Sequence, residues 1–328
     1  MSGRWSDSLV PGAPLMVVGE AFAETEEVTG SPLTGRYGHA LFQLFRNVGL
    51  KRADLSLSNV FNERPPGDVI SRLWENDEIR ESALQRLGKE IDVAKPNLIL
   101  AMGNTALRAL TGLTGVSSIR GHCLLGTLRP VKVLPTLLSI FQGATARANV
   151  QVDIIKAKRE SAFPEVRHTH KTLWLEPTLA DLLLFEEYYL ESASYIACDI
   201  ETTGSKLITM VGLAARPSLG IVIPFVDRSK PGYHYWETRE EEIAAWAWLR
   251  KQLHRPIPKV FQNGQYDTYW LAHYGIYPTG GPIEDTMLLH HARYSELAKD
   301  LESLAAVYAA TPPWKSKRPR GSDVGKEK

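Results

Sequence analysis

Cysteine is almost missing from this 328-residue chain, which carries only Cys123 and Cys198. Two isolated thiols build neither a disulfide framework nor a cysteine-based metal site, and they read as buried thiols in a reducing cytoplasm. Long apolar runs are missing too. No stretch approaches the roughly 20 residues that span a bilayer, and the N-terminal MSGRWSDSLVPGAPL lacks an apolar core of signal-peptide length. The expectation is a soluble cytoplasmic protein with no membrane partner. The net charge is only +1, so no molecule-wide field pulls in nucleic acid, and any such contact must come from local patches. Internal repeats are absent from the sequence.

What is present is ordinary globular material, 44% hydrophobic and 23% charged. The length suggests two domains, since single cores seldom grow far past about 250–300 residues. Residues 14–160 alternate in a βα manner, with strands expected at 14–19, 54–61, 97–102 and 131–134 and helices at 37–48 and from 103. That alternation predicts a mostly parallel sheet covered on both faces. Residues 156–171, charged and carrying one proline, read as a linker. Beyond it come a short strand at 173–175, a helix to about 189, and three strand-like runs at 195–199, 208–214 and 220–224. These runs have little between them, as in an antiparallel meander. A strand at 259–261 and helices at 239–253, 263–274, 284–294 and 300–308 complete the pattern. Residues 315–328 hold six basic and two acidic residues without apolar periodicity and read as a disordered basic tail. The domains are therefore drawn as 1–155, a linker at 156–171, 172–314, and the tail.

Asp199 and Glu201 stand in CDIETTG at the end of an apolar strand. Residues two apart on a strand share a face. Two carboxylates so placed repel unless a cation lies between them, and Mg²⁺ or Mn²⁺ takes oxygen ligands of this kind. Asp267 lies 66 residues beyond Glu201 in FQNGQYDTYWL, early in an apolar-periodic helix.

The order D-I-E-T-T-G, a meander ending IVIPF, N-G-Q-Y-D at a helix start and then EDTMLLHHA resembles the DEDD-type 3′–5′ exonuclease domain of family-A DNA polymerases, over about 173–314. The resemblance implies a ribonuclease H-like fold with a mixed sheet and helices. It implies a two-metal Mg²⁺ or Mn²⁺ site held by Asp199, Glu201 and Asp267, the catalytic residues. Thr202, Thr203, Asn263 and Tyr266 are implied as contacts to the substrate. The implied substrate is DNA, mainly single-stranded 3′ ends, with a DNA polymerase as a further partner, in the cytoplasm of a bacterial or phage-infected cell. Asp285 reads as a helix N-cap. The family's late Y-x-x-x-D or H-x-x-x-D motif is missing after Asp285, leaving three ligands; Asp300 and Glu302 are the substitutes in reach, with no motif behind them.

VGEAFAETEEVTGSPLTGRYG (18–38), SNVFNERPPG (58–67) and LAMGNTALRALTG (100–112) together resemble uracil-DNA glycosylases of the family 4 type, over about 14–145. The resemblance implies a three-layer αβα domain with a base pocket at Glu20, Leu33 and Asn59. The sequence departs from that family at four points. Phe22 and Ala23 replace a proline and glycine. Leu33 replaces the aromatic that stacks on the base. Leu138 stands where a histidine is expected. Two cysteines cannot supply the four that hold an iron–sulfur cluster, so no cluster is expected. Three functions stay open on this reading: a metal-dependent exonuclease in replication or repair, a non-catalytic DNA- or polymerase-binding module, and a uracil-DNA glycosylase.

Other residues read more simply. Arg36 and Arg120 are either phosphate contacts or solvated surface residues. His168 and His170 lack a third metal ligand nearby. His290 and His291 read as packing and polar-face residues, and Trp174, Trp246, Trp248 and Trp270 as core.

Overall fold

In the first sheet, alternate side chains of each strand enter two different cores. The strands are β1 (Leu15–Ala21), β2 (Ser56–Phe61), β3 (Leu98–Met102), β4 (Leu124–Leu125) and β5 (Lys132–Thr136). Their order is β2-β1-β3-β5-β4, parallel except that β4 runs antiparallel to β5. Leu15, Val17, Leu57, Leu98, Leu100 and Leu134 face the helices Arg36–Asn47 and Ala144–Glu160. Met16, Val18, Val60, Ile99, Ala101 and Val133 face the helices Asp77–Ala94 and Asn104–Thr111. Near-continuous apolar strands of this kind are what a parallel sheet buried on both sides requires.

The computed structural model describes residues 4–167, 170–204 and 207–313. They divide into two compact units. One holds residues up to 167 together with 296–313, and the other holds the described residues of 170–295. The second sheet contains β6 (Thr172–Trp174), β7 (Ile196–Thr202), β8 (Ile208–Arg216), β9 (Leu219–Pro224), β10 (Lys259–Phe261) and β11 (Ile283–Asp285). Its order is β11-β10-β7-β8-β9-β6, with an antiparallel β7-β8-β9 meander extended by parallel strands on both sides. Its core joins Ile196, Cys198 and Ile200 to Phe185, Leu249, Leu253 and Leu271 from the surrounding helices. The fold is thus α/β, with two mixed sheets flanked by helices. Among the described residues no helix is long and apolar enough to cross a membrane.

Several features differ from what the sequence predicts. Two strands were not expected: β4, and β11, whose Glu284 and Asp285 were expected to open a helix that instead starts at Thr286. The helix Asp77–Ala94, started by an Asn76 side chain that accepts the Ile79 amide at 3.1 Å, was not foreseen. The expected linker begins inside the helix Ala144–Glu160, whose Val150, Ile154 and Ala157 are fully buried. Lastly, the helix Leu301–Tyr308, assigned to the second domain by its position in sequence, packs in the first unit. There Lys156 Nζ donates to the carbonyls of Ala306 (2.6 Å) and Ala309 (2.8 Å). The expected basic tail, and His168, lie outside the described residues.

A buried ion pair fixes the carboxyl end of β2. Arg86 and Glu90, one turn apart on the helix Asp77–Ala94, meet at 2.7 Å with side chains 3% and 0% exposed. Arg86 also donates to the carbonyls of Asn59 and Val60, and Glu90 accepts from the Ser6 amide. Arg86→Met strands the Glu90 charge and is expected to lower stability by about 3–5 kcal/mol, whereas Arg86→Met with Glu90→Leu costs much less. Urea unfolding of the two variants checks this. A double variant as unstable as the single one would show that the stranded charge is not the cause.

Candidate functional sites in the two units

β7 reads IACDIET, with Ile196, Cys198 and Ile200 turned into the core and Asp199 and Glu201 turned out. Opposite them on β8 lie Gly212 and Met210. A register shift between Glu201 and Thr202 bends the strand end, as bulges do beside sites. Asp267 arrives from the first turn of the helix Gln265–His273. Its Oδ1 accepts the Ile200 amide at 3.0 Å, so its carboxyl is tied to the backbone between Asp199 and Glu201.

The turn that delivers this helix is shaped by Asp285. Asn263 adopts a left-handed φ of 57°. Its amide and that of Gly264 donate to the Asp285 carboxylate at 3.1 and 2.8 Å. Asp285 also accepts from Met287 and Leu288, as the N-cap of the helix Thr286–Arg293. Tyr266 places its hydroxyl 2.6 Å from Thr202 Oγ1. Thr203 continues the turn, its amide donating to the Leu207 carbonyl at 2.9 Å.

The electrostatics follow from this crowding. Burial, and then the Glu201 charge, hold the Asp199 carboxyl above its usual range. Burial raises Asp267 to about 6; the Ile200 hydrogen bond opposes this, and the charges of Asp199 and Asp285 add to it. The donors are hard oxygens in a mutually repelling set, which is the chemistry a divalent cation relieves. Among the described residues, however, no group of three His, Cys, Asp or Glu side chains is drawn tightly enough to hold an ion. Asp300 caps the helix Leu301–Tyr308 through the Ser303 amide.

In the first unit, Glu20 and Asn59 meet at the carboxyl ends of β1 and β2, where Gly19 pairs with Asn59. The chain crosses from β1 to β2 on one side and to β3 on the other. The carboxyl ends of β1 and β3 therefore frame a switch point, the place where open α/β sheets bind ligands. Glu20 Oε1 accepts the Thr105 amide at 2.7 Å, across from Gly103 at a φ of 91°. A Cβ at Gly103 would collide with the Glu20 carboxyl, and one at Gly19 with the Asn59 amide, so both approaches need glycine. Asn59 is 2% exposed, and its Nδ2 has no hydrogen-bond partner in the protein.

Tyr37, which the sequence reading passed over, also belongs here. Its hydroxyl is buried and unpartnered, and burial together with the Glu20 charge pushes its ionisation far up. Leu33 lines a hollow whose lining includes neither Glu20 nor Asn59. It is 7% exposed at a left-handed φ of 55° and shares the hollow, of about 540 Å³, with Phe42, Arg46 and Arg52. Arg120 pairs with buried Asp153 at 2.7 Å, and Arg36 lies over the Phe141 ring. His290 is buried, and of the four tryptophans expected in the core Trp248 is buried while Trp174, Trp246 and Trp270 are partly so.

Because the folded-state value for Asp267 lies above its unfolded value, the fold binds more protons than the unfolded chain between about pH 4 and pH 6. The associated stability is present below about pH 4 and is lost as pH rises through about 6. Asp267→Asn keeps an oxygen for the Ile200 amide and removes this charge. Measured by thermal unfolding in chelator, the variant is expected to lose less stability than the parent between pH 4 and 7. Parallel curves would contradict it.

The uracil DNA glycosylase superfamily profile matches residues 7–158. The type-4 uracil-DNA glycosylase of Pyrobaculum aerophilum is 32% identical over 140 residues, covering 40% of this chain and 69% of that protein. A DNA polymerase of Bacillus phage SP01 is 25% identical over 308 residues, covering 80% of this chain and 30% of the polymerase. Among solved structures, Brucella melitensis NrnC matches at 17% identity with a TM-score of 0.28, over 42% of this chain and 59% of its own length. Through the sequence of its first unit, the chain belongs to the uracil-DNA glycosylase superfamily.

Proposed function

We propose that this is a DNA-processing protein whose second unit carries a metal-dependent 3′–5′ exonuclease site and whose first unit carries a base-binding pocket. The observation that carries the nuclease reading is the tether of Asp267 to the Ile200 amide, which brings a third carboxylate beside Asp199 and Glu201. As folded here these three side chains are not drawn tightly enough to hold an ion, and on this reading they would close around Mg²⁺ or Mn²⁺ when it binds. When bound, such ions supply an activated water and steady the departing 3′ oxygen. The chain's own contribution is placement. Thr202 and Tyr266, joined at 2.6 Å, offer hydroxyls beside the acids. Asn263, exposed and held in its left-handed turn, offers an amide side chain to a terminal nucleotide. The match to the phage DNA polymerase spans four fifths of the chain, which supports DNA as substrate and a polymerase as partner. With no fourth carboxylate motif, the expected activity is weak and favours Mn²⁺.

The base-binding reading of the first unit is favoured by Asn59. A buried amide nitrogen without a partner costs about 1–3 kcal/mol, and a base edge would satisfy it. Glu20 and Tyr37 stand beside it, but Leu138 supplies no proton or positive charge for a departing base anion. The pocket is therefore read as one that recognises a uracil-like edge with little or no cleavage.

Two assays test these readings. A 3′-terminated single strand, labelled at its 5′ end, should shorten stepwise with Mn²⁺. Asp199→Ala or Asp267→Asn should slow this by at least the roughly 10–100-fold that loss of a supporting group costs a metal site. Shortening that persists in both variants excludes this site. A uracil-containing strand should bind more tightly than its thymine counterpart, and Asn59→Leu should erase the difference. Abundant abasic sites on the uracil strand would replace the binding reading with a catalytic one.

A further inference from the structure

We propose that a ring-lined cleft in the second unit is a stacking site for an unpaired nucleobase of a DNA strand. The inference rests on reading this unit as one that receives a DNA end. The cleft measures about 700 Å³, inside the roughly 300–1,000 Å³ range of ligand clefts. Three near-parallel aromatic planes form one side. Phe225, just past β9 and 4% exposed, stacks on Trp246 with ring centres 3.6 Å apart and planes 13° apart. Trp246 stacks in turn on Tyr274 at 4.5 Å and 25°. The ladder starts in the core and ends at the surface, where Tyr274 is 36% exposed. The Tyr274 hydroxyl accepts the Ile208 amide at 3.2 Å, which fixes the ring plane. A rigid stack that ends on a half-exposed ring is a platform that a further flat ring can extend.

The cleft lining also includes a separate exposed ring. Tyr233 is 61% exposed and holds a left-handed φ of 61°. Its carbonyl accepts the Asp227 amide and its amide donates to Lys230. A tyrosine in this region is strained, and an exposed ring gains no burial that would offset the strain. A base inserted against that ring would. Arg228, exposed on the cleft lining, brings positive charge for a backbone phosphate. Glu242, the one acid lining the cleft, lies 3.5 Å from His234. Thr203, next in sequence to Thr202, forms part of the lining, so the cleft adjoins the turn that follows the carboxylates. Single-stranded bases expose both π-faces and bind such platforms without regard to sequence, whereas paired and stacked bases do not.

The test uses the full chain in chelator with a short thymidine strand carrying 2-aminopurine at one position, moved stepwise from the 3′ end. Fluorescence should fall sharply on binding at one defined distance from that end. Tyr274→Leu should weaken binding about tenfold, within the usual range for a base stacked on an aromatic ring, and Tyr274→Phe, which keeps the ring but loses the Ile208 hydrogen bond, should weaken it much less. Tyr233→Ala, a surface change that leaves the core intact, should weaken binding several-fold. A strand with an abasic unit at the sensitive position should bind the parent as weakly as the intact strand binds Tyr274→Leu. The proposal is overturned if intact and abasic strands bind alike, or if Tyr274→Leu and Tyr233→Ala both bind like the parent. Metal-dependent shortening with binding that ignores both tyrosines removes the cleft and leaves the nuclease. Position-specific quenching without shortening keeps the cleft as a DNA-end site and removes the nuclease chemistry.

Discussion

Repulsion between carboxylates is the constraint on which the second unit turns. Strand alternation in β7 puts Asp199 and Glu201 on one face, because Ile200 between them is needed in the core. The Ile200 amide then donates to Asp267 and holds it in the field of Asp199. Burial and neighbouring negative charge raise the first and third of these acids. A fold selected for stability alone would separate them or insert a lysine. The second unit instead spends further structure on delivering Asp267, with Asp285 gathering four backbone amides to shape the turn ahead of its helix.

The first unit solves a different problem, that of holding polar atoms ready in a dry place. Asn59 is kept at a strand end by Arg86, which binds its carbonyl and is itself neutralised by Glu90. That leaves the Asn59 amide nitrogen buried and open, beside a glutamate already committed to the Thr105 amide. This arrangement lies in a chain of the uracil-DNA glycosylase superfamily and is what the proposed base pocket would draw on. The family's histidine at 138, which would serve cleavage, and its aromatic at 33, which would stack on the base, are both leucines here. Binding energy and catalytic power come from different side chains, so a fold can keep one and lose the other.

Much of this was legible in residue order. The βα alternation of residues 14–160, the meander after 195 and the pairing of Asp199 with Glu201 all depend on local periodicity, which sequence carries directly. The helix Asp77–Ala94 was not legible in the same way. Its buried stripe includes Arg86 and Glu90, which look like surface residues until the partner strand is known. The placement of Leu301–Tyr308 was equally hidden. A short helix goes to whichever surface satisfies its carbonyls, and the Lys156 ammonium that does so lies about 150 residues away.

Sequence by itself determined most strands of each sheet, though not β4 or β11, the face on which each strand acid lies, and the family of the first unit, because those follow from period, spacing and motif. Tertiary structure alone decided that Asp267 reaches the Ile200 amide, that Leu33 lines a hollow with Phe42 and Arg52 while Tyr37 feels the Glu20 charge, and that Phe225, Trp246 and Tyr274 line up as one stack. Each of those depends on where separate elements meet, and the meeting point is set by the packing of whole cores, which no local pattern records.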